Sequence, residues 1–171
     1  MKRAFAAILL AAAAPGCGYH LAGHANLLPK NIKTIAIPAF GNVTTRYDLA
    51  RMLPEDLTRE FLSRTRYAVV SDPNQADAVL TGTVVNFTAF PTTFDPATSR
   101  ATGILVIVVL QLKFTDRATG EVILNRPGAE FRERYQISED PKTYFDESGT
   151  AMMRLSKDVA QSVVTAVLEN F

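Results

Sequence analysis

The chain has 171 residues, 47% of them hydrophobic and 20% charged, and a formal net charge of +1. That length suits one domain with a core of its own, and the near-neutral charge gives no electrostatic footprint for nucleic acid or an acidic membrane surface. A single cysteine excludes an internal disulfide, so packing alone must hold the fold.

The first element is not part of that domain. Met1-Lys2-Arg3 is a short basic start, and Ala4 to Ala14 (AFAAILLAAAA) is an apolar run too short to span a bilayer. Pro15-Gly16 then breaks any helix just before Cys17, which completes the three-part layout of a secretory signal peptide. The stretch Ala14-Pro15-Gly16-Cys17 resembles a bacterial lipobox, with Ala14 where leucine is usual. In such a signal the thiol is the nucleophile that takes a diacylglyceryl group, and cleavage before it frees an amine for a third chain. Each buried CH₂ contributes roughly 0.8 kcal/mol and one chain holds only marginally, so several chains on Cys17 make a firm anchor. Cleavage there leaves 16 basic residues against 17 acidic ones. Residues 1–16 are thus expected to be removed, residues 17–31 to be a lipidated tether, and residues 32–171 to be a single domain. Gly18 follows the cysteine, and by the sorting rule of Gram-negative lipoproteins the absence of Asp there points to the outer membrane.

Lys33 to Phe40, with Ile32, Ile35, Ile37 and Phe40 apolar, reads as a short strand stopped by Pro38, and Gly41-Asn42 as a turn. Asp48 to Arg66 places Leu49, Met52, Leu53, Leu57, Phe61 and Leu62 on a helical stripe, with Asp48 as N-cap. Pro54 means that this helix either kinks there or starts there. Ser71-Asp72-Pro73-Asn74 is a turn cluster. Three strands follow. Ala78 to Phe90 is rich in Val, Thr and Phe. Gly103 to Thr115 opens with seven apolar residues, Ile104 to Leu110, the pattern of a central strand buried on both faces. Pro91 to Thr102 is the loop between them, and Asp116 to Gly120 is a hairpin turn with Gly120 where positive φ is needed. Glu121 to Tyr135 returns, interrupted by Pro127-Gly128, which suggests a bulge or an edge position. A terminal helix from about Tyr144 to Phe171 carries Met152, Leu155, Val159, Val163, Val167 and Phe171 on one stripe. The expected fold is an α+β two-layer sandwich, a four-stranded mixed sheet covered on one face by two helices, in the order β-α-β-β-β-α.

Catalytic chemistry is missing from these elements. The only histidines, His20 and His24, sit among glycines in the tether, where no imidazole is held rigidly enough for a triad or a metal site. No glycine-rich phosphate loop occurs, and the acidic pairs Glu139-Asp140 and Asp146-Glu147 stand in no motif. Arg59, Arg64 and Arg66 cluster where a helix C-terminus favours positive charge, or where a polyanion could be met. The composition therefore points to a binding or assembly protein held on a membrane, not to an enzyme, and it calls for no metal and no cofactor beyond the lipid on Cys17.

Several stretches resemble the LptE family of lipopolysaccharide-assembly lipoproteins: Cys17-Gly18-Tyr19-His20-Leu21, then Leu28-Pro29, KTIAIPAFGN (33–42), LTREFLSR (57–64) and RYAVVSDPNQADAVLTGTV (66–84). The resemblance runs from Cys17 to about Phe171, with the CGYHL start its most specific piece. It implies a monomer on the periplasmic face of the outer membrane that plugs the large lipopolysaccharide-transport β-barrel LptD as half of a heterodimer. It also implies a part in barrel assembly and in delivering lipopolysaccharide to the outer leaflet. In the family the tip between the long strands and nearby basic residues are linked to the lipid, which here singles out Arg100, whose guanidinium matches a lipid A phosphate, and Phe94, which suits acyl chains. The IAIPAF strand alone also fits other outer-membrane lipoproteins, such as a peptidoglycan-synthase activator or a secretion-pore subunit.

Overall fold

The computed structural model describes residues 28–29, 31–137 and 147–169. Residues 1–16, expected to be a signal peptide, Cys17, His20 and His24, the pair Glu139-Asp140 and Phe171 lie outside the described residues. The elements in chain order are β1 (Thr34–Ala36), β2 (Gly41–Asn42), α1 (Tyr47–Arg64), β3 (Ala68–Val70), a 3-10 turn (Pro73–Gln75), β4 (Ala78–Phe94), β5 (Ala101–Asp116), β6 (Val122–Gln136) and α2 (Ser148–Glu169). They form the expected α+β sandwich: one mixed sheet with both helices packed into a single core.

The sheet has six strands rather than four, in the order β3-β1-β4-β5-β6, with β2 paired to β4. β1 lies parallel to β3 and to β4, and β2 is parallel to β4, whereas β4, β5 and β6 form an antiparallel meander. The two additional strands, three and two residues long, occupy Ala68–Val70 and the predicted turn Gly41–Asn42. Such short strands carry no alternation of their own and are defined by the neighbours that bond them. Ile32, Ile35, Ile37 and Phe40 are all buried, and Phe40 lies on Gly82 so closely that a Cβ there would stand 2.2 Å from its ring.

α1 begins at Tyr47, and the residue before it, Arg46, makes no side-chain cap. Asp48 therefore lies in the first turn instead of capping it, where a carboxylate still favours the positive helix end. Arg46 extends over the Phe87 ring, 5.0 Å from its centroid. Pro54 lies inside the helix rather than at its start. Leu49, Leu53, Leu57 and Phe61, four residues apart, form the buried stripe, while Leu62 is 56% exposed. α2 buries Leu155, Val159, Val163 and Val167 at the same spacing. The helices run parallel. Ser156 donates to the buried Asp56 carboxylate at 2.6 Å midway, and Arg64 reaches Thr165 at 2.8 Å near both C-termini. Arg59 pairs with Asp56 and Arg64 with Glu60, so these two arginines are engaged within the protein.

β5 is central, but it is buried fully on one face only. Val106, Val108, Leu110, Leu112 and Phe114 are buried under the helices, whereas Leu105, Ile107 and Val109 between them are half-buried on the open face. The β5–β6 turn forms as the sequence predicts. Asp116 accepts from the N–H groups of Ala118 (2.7 Å) and Thr119 (3.1 Å), and Gly120 has φ +74°. β6 is a sheet edge, and its pairing with β5 shifts register between Leu110 and Leu112, across Pro127-Gly128. A one-residue bulge exchanges the faces of all side chains beyond it. Phe131 and Tyr135 thus join Leu124 on the helix side although their numbers differ in parity.

Candidate functional site

The long strands pair much further than the sequence suggests. Pro91 to Phe94 and Ala101-Thr102, expected in a loop, belong to β4 and β5, and the connection proper is only Asp95 to Arg100. Pro91 is accommodated because β1 and β2 pair with β4 no further than Val84, so beyond it β4 is bonded on one side only. A proline at such an edge loses no ladder bond.

The tip is a closed turn. Asp95 donates its N–H to the Arg100 carbonyl at 2.9 Å, and Ser99 donates to the Asp95 carbonyl at 2.9 Å. The Asp95 carboxylate accepts from the N–H groups of Thr98 (2.7 Å) and Ala97 (2.8 Å) and from the Thr98 hydroxyl (3.1 Å). These bonds, led by the Thr98 and Ala97 amides, hold its carboxyl below the ordinary value. Ser99 takes φ 56°, a left-handed position that completes the turn. The backbone of Arg100 is therefore fixed while its side chain is exposed, with no ion pair among the described residues.

The structure brings Arg100 and Phe94 together at this end, since Phe94 pairs with Ala101, the next residue in the chain. Phe94 is 54% exposed. Register adds a residue that sequence alone did not single out. Phe90 pairs with Leu105 and Leu105 with Arg134, so an aromatic ring, an aliphatic side chain and a guanidinium lie side by side across the open face. One strand step lower, Thr88, Ile107 and Arg132 form the next row, with a threonine in place of the ring and Arg132 bound to Glu130 at 2.6 Å. The signal for Arg134 was the alternation Arg132-Glu133-Arg134, unreadable without knowing which face follows the bulge. Glu133, on the opposite face, is tied to Arg154 of α2 at 2.7 Å. Among the described residues no group of three His, Cys, Asp or Glu side chains is placed to hold a metal, and no helix is long and apolar enough to cross a membrane.

A family model described as LptE, lipopolysaccharide-assembly, matches residues 32–167. No curated protein sequence matches the chain. Among solved structures, lipoprotein B from Nitrosomonas europaea is 15% identical, covering 89% of this chain and 88% of its own, with a TM-score of 0.56. Protein XCC0632 from Xanthomonas campestris is 13% identical over 84% of this chain and 90% of its own, also at 0.56. The PelC dodecamer from Paraburkholderia phytofirmans is 14% identical over 81% and 89%, at 0.52. At such identities the likeness shows a shared fold.

Proposed function

Because the chain belongs to the LptE lipopolysaccharide-assembly family, a family of non-catalytic outer-membrane lipoproteins, we propose that it plugs the lumen of an LptD-type β-barrel, helps that barrel assemble and assists lipopolysaccharide delivery to the outer leaflet. In this reading residues 1–16 are removed, Cys17 carries the lipid and residues 17–31 tether the domain to the periplasmic face.

The observation that supports it best is the projecting hairpin. A closed turn presents an exposed arginine without an ion pair beside an exposed phenylalanine, a combination that suits a phosphate next to acyl chains. Arg100 would pair with a lipid A phosphate and Phe94 would touch the acyl chains. The test is lipopolysaccharide binding by the purified soluble domain. Arg100→Glu is expected to weaken binding about tenfold, a loss of about 1.4 kcal/mol, without moving the melting temperature. Equal binding by variant and wild type removes Arg100 from the site.

The PelC structure that shares this fold is a dodecamer, so the alternative reading of a ring-forming secretion-pore subunit is open to measurement. The mass of the purified domain in solution separates the two, since a plug is monomeric alone and a pore subunit forms rings.

A further inference from the structure

The two long edges of the sheet are treated differently. Along β6, side chains near the start of α2 occupy the outward backbone groups of the upper end. Glu147 accepts from the Gln136 N–H at 3.4 Å, and Arg154 donates to the Arg134 carbonyl at 3.3 Å. Lower down, the bulge between Arg126 and Ala129 breaks the ladder, and Pro127 has no N–H to offer. The upper half of β4 carries no such guard. β2 bonds β4 at Thr83 and Val84, and the Val43 N–H donates to the Val84 carbonyl at 3.0 Å. Beyond that point, among the described residues, nothing pairs with β4 on this side. The direction of its free groups follows from alternation. The Arg117 N–H points to β4, so Val109, Ile107 and Leu105 do as well, and they exchange bonds with Asn86, Thr88 and Phe90. Phe87 and Ala89 therefore turn their N–H and C=O groups outward, and Pro91 turns out a carbonyl alone. Ala89 and Pro91 are exposed. The Phe87 ring is already covered by Arg46, so what this edge offers is backbone.

Resting on the plug reading, we propose that the upper edge of β4, from Phe87 to Pro91, takes up an extended segment of the partner barrel's polypeptide as an added strand in line with β2. The chemistry of the edge names the class of occupant. N–H groups at Phe87 and Ala89 and carbonyls at Phe87, Ala89 and Pro91 recur at every second residue, about 7 Å apart. A polypeptide in extended form returns both kinds of group at that spacing, which is the basis of strand addition. An acyl chain offers neither kind, and a phosphate offers acceptors alone. This side of β4 already holds one added strand, the two residues of β2. Val43, 73% exposed, stands where the incoming segment meets it. Pro91 sets the upper limit, because an incoming carbonyl finds no N–H there.

Ala89→Pro is the direct test. The Ala89 N–H points away from β5, so its loss breaks no bond within the sheet, and an edge strand tolerates proline. Full-length chain with a C-terminal tag is purified from outer membranes in mild detergent, and the barrel that accompanies it is quantified. Stoichiometric barrel is expected with wild type and with Ala89→Val, which keeps the N–H. At least about tenfold less is expected with Ala89→Pro, equivalent to about 1.4 kcal/mol of lost binding, at unchanged melting temperature of the purified chain. Amide hydrogen exchange on the wild-type complex needs no variant, and it decides alone where Ala89→Pro lowers the melting temperature. There the Phe87 and Ala89 amides are expected to exchange at least about tenfold more slowly than in the chain without the barrel. Wild-type yield from a folded Ala89→Pro, or unchanged exchange of both amides, overturns the added strand while leaving the plug reading intact. Slow exchange of these amides in the chain alone, at the mass of a dimer, gives the edge to a second copy and also overturns the proposal. Absence of any barrel with the wild type overturns the plug reading, and the added strand with it.

Discussion

The lower and upper halves of the β4–β5–β6 meander share strands but not surroundings. From Ala78 to Val84, β4 buries Ala78, Leu80 and Val84, while from Phe87 to Phe94 it buries nothing completely. β5 shares this gradient only at its very start, where Ala101 and Thr102 are half-exposed, since every second residue from Val106 to Asp116 is buried. On the open face the lower half presents Thr81, Thr83, Gln111, Lys113 and Asn125, and the upper half Phe90, Leu105, Ile107 and Arg134. The lower half thus has an ordinary wet outer face and a core beneath it. The upper half carries its apolar and basic side chains where no layer covers them. Buried packing on β4 is concentrated at one end, and the exposed Phe94 and Arg100 stand at the other.

Core truncation is the strongest way to test that division. Phe114→Ala, in the lower half and fully buried, is expected to cost about 3–5 kcal/mol in denaturant unfolding. Phe94→Ala is expected to stay within about 0.5 kcal/mol, and equal losses would end the comparison. Gly82→Ala, which drives a methyl into the Phe40 ring, should cost about 1–3 kcal/mol by overpacking. Ser156→Ala removes the hydroxyl that satisfies the buried Asp56 carboxylate. It should cost about 1–3 kcal/mol, with Arg59 still in place to moderate the loss.

A smaller effect is expected in acid. Asp77 accepts from the N–H groups of Lys33 (2.8 Å) and Thr34 (2.9 Å) and from the Thr34 hydroxyl (2.9 Å), fastening β1 to the start of β4. These bonds hold its carboxyl below the ordinary 3.8. Asp116 is lowered as well, first by the Asn31 amide and then by the Thr119 N–H. A depressed folded value means that the contribution is complete above the unfolded value and is lost as pH falls through the folded one. Asp77→Asn should therefore be less stable at neutral pH and lose stability less steeply below about pH 4, as followed by unfolding at a series of pH values. A parallel pair of curves would show that Asp77 does not couple to folding.

The same gradient explains what could be read from the sequence. Leu49, Leu53, Leu57 and Phe61 announce α1 because a helix against a core must repeat near 3.6 residues, and Gln111, Leu112, Lys113 and Phe114 at the end of β5 announce the sheet by alternation. Both signals come from one-sided burial, so they fade where burial does. The upper ends of β4 and β5 carry Pro91, three threonines and no alternation to follow, and they read as loop although the backbone pairs through to Phe94. β2 and β3 exist through the strands beside them. Arg100 and Phe94 were visible as residue types flanking a turn. Arg134 and Arg126 were not, because the bulge at Pro127-Gly128 decides which face each one takes.

The chain enters the fold at the end opposite the Asp95 turn. Leu28 is buried there, and Asn31 donates to Asp116 at the far end of β5. Seventeen residues of β4 separate that end from the tip, roughly 55 Å at 3.3 Å per residue. The meander therefore behaves as a measuring rod, fixing how far the tip stands from the place where the chain enters the fold at Asn31 and Asp116. Its length has a built-in increment. Adding or removing two facing residues from each strand moves the tip by about 7 Å with every side chain keeping its face, whereas a change of one turns the rod over. Stand-off distance and facial identity are thus coupled, and a single-residue step needs a bulge such as the one at Pro127-Gly128 to restore the faces beyond it.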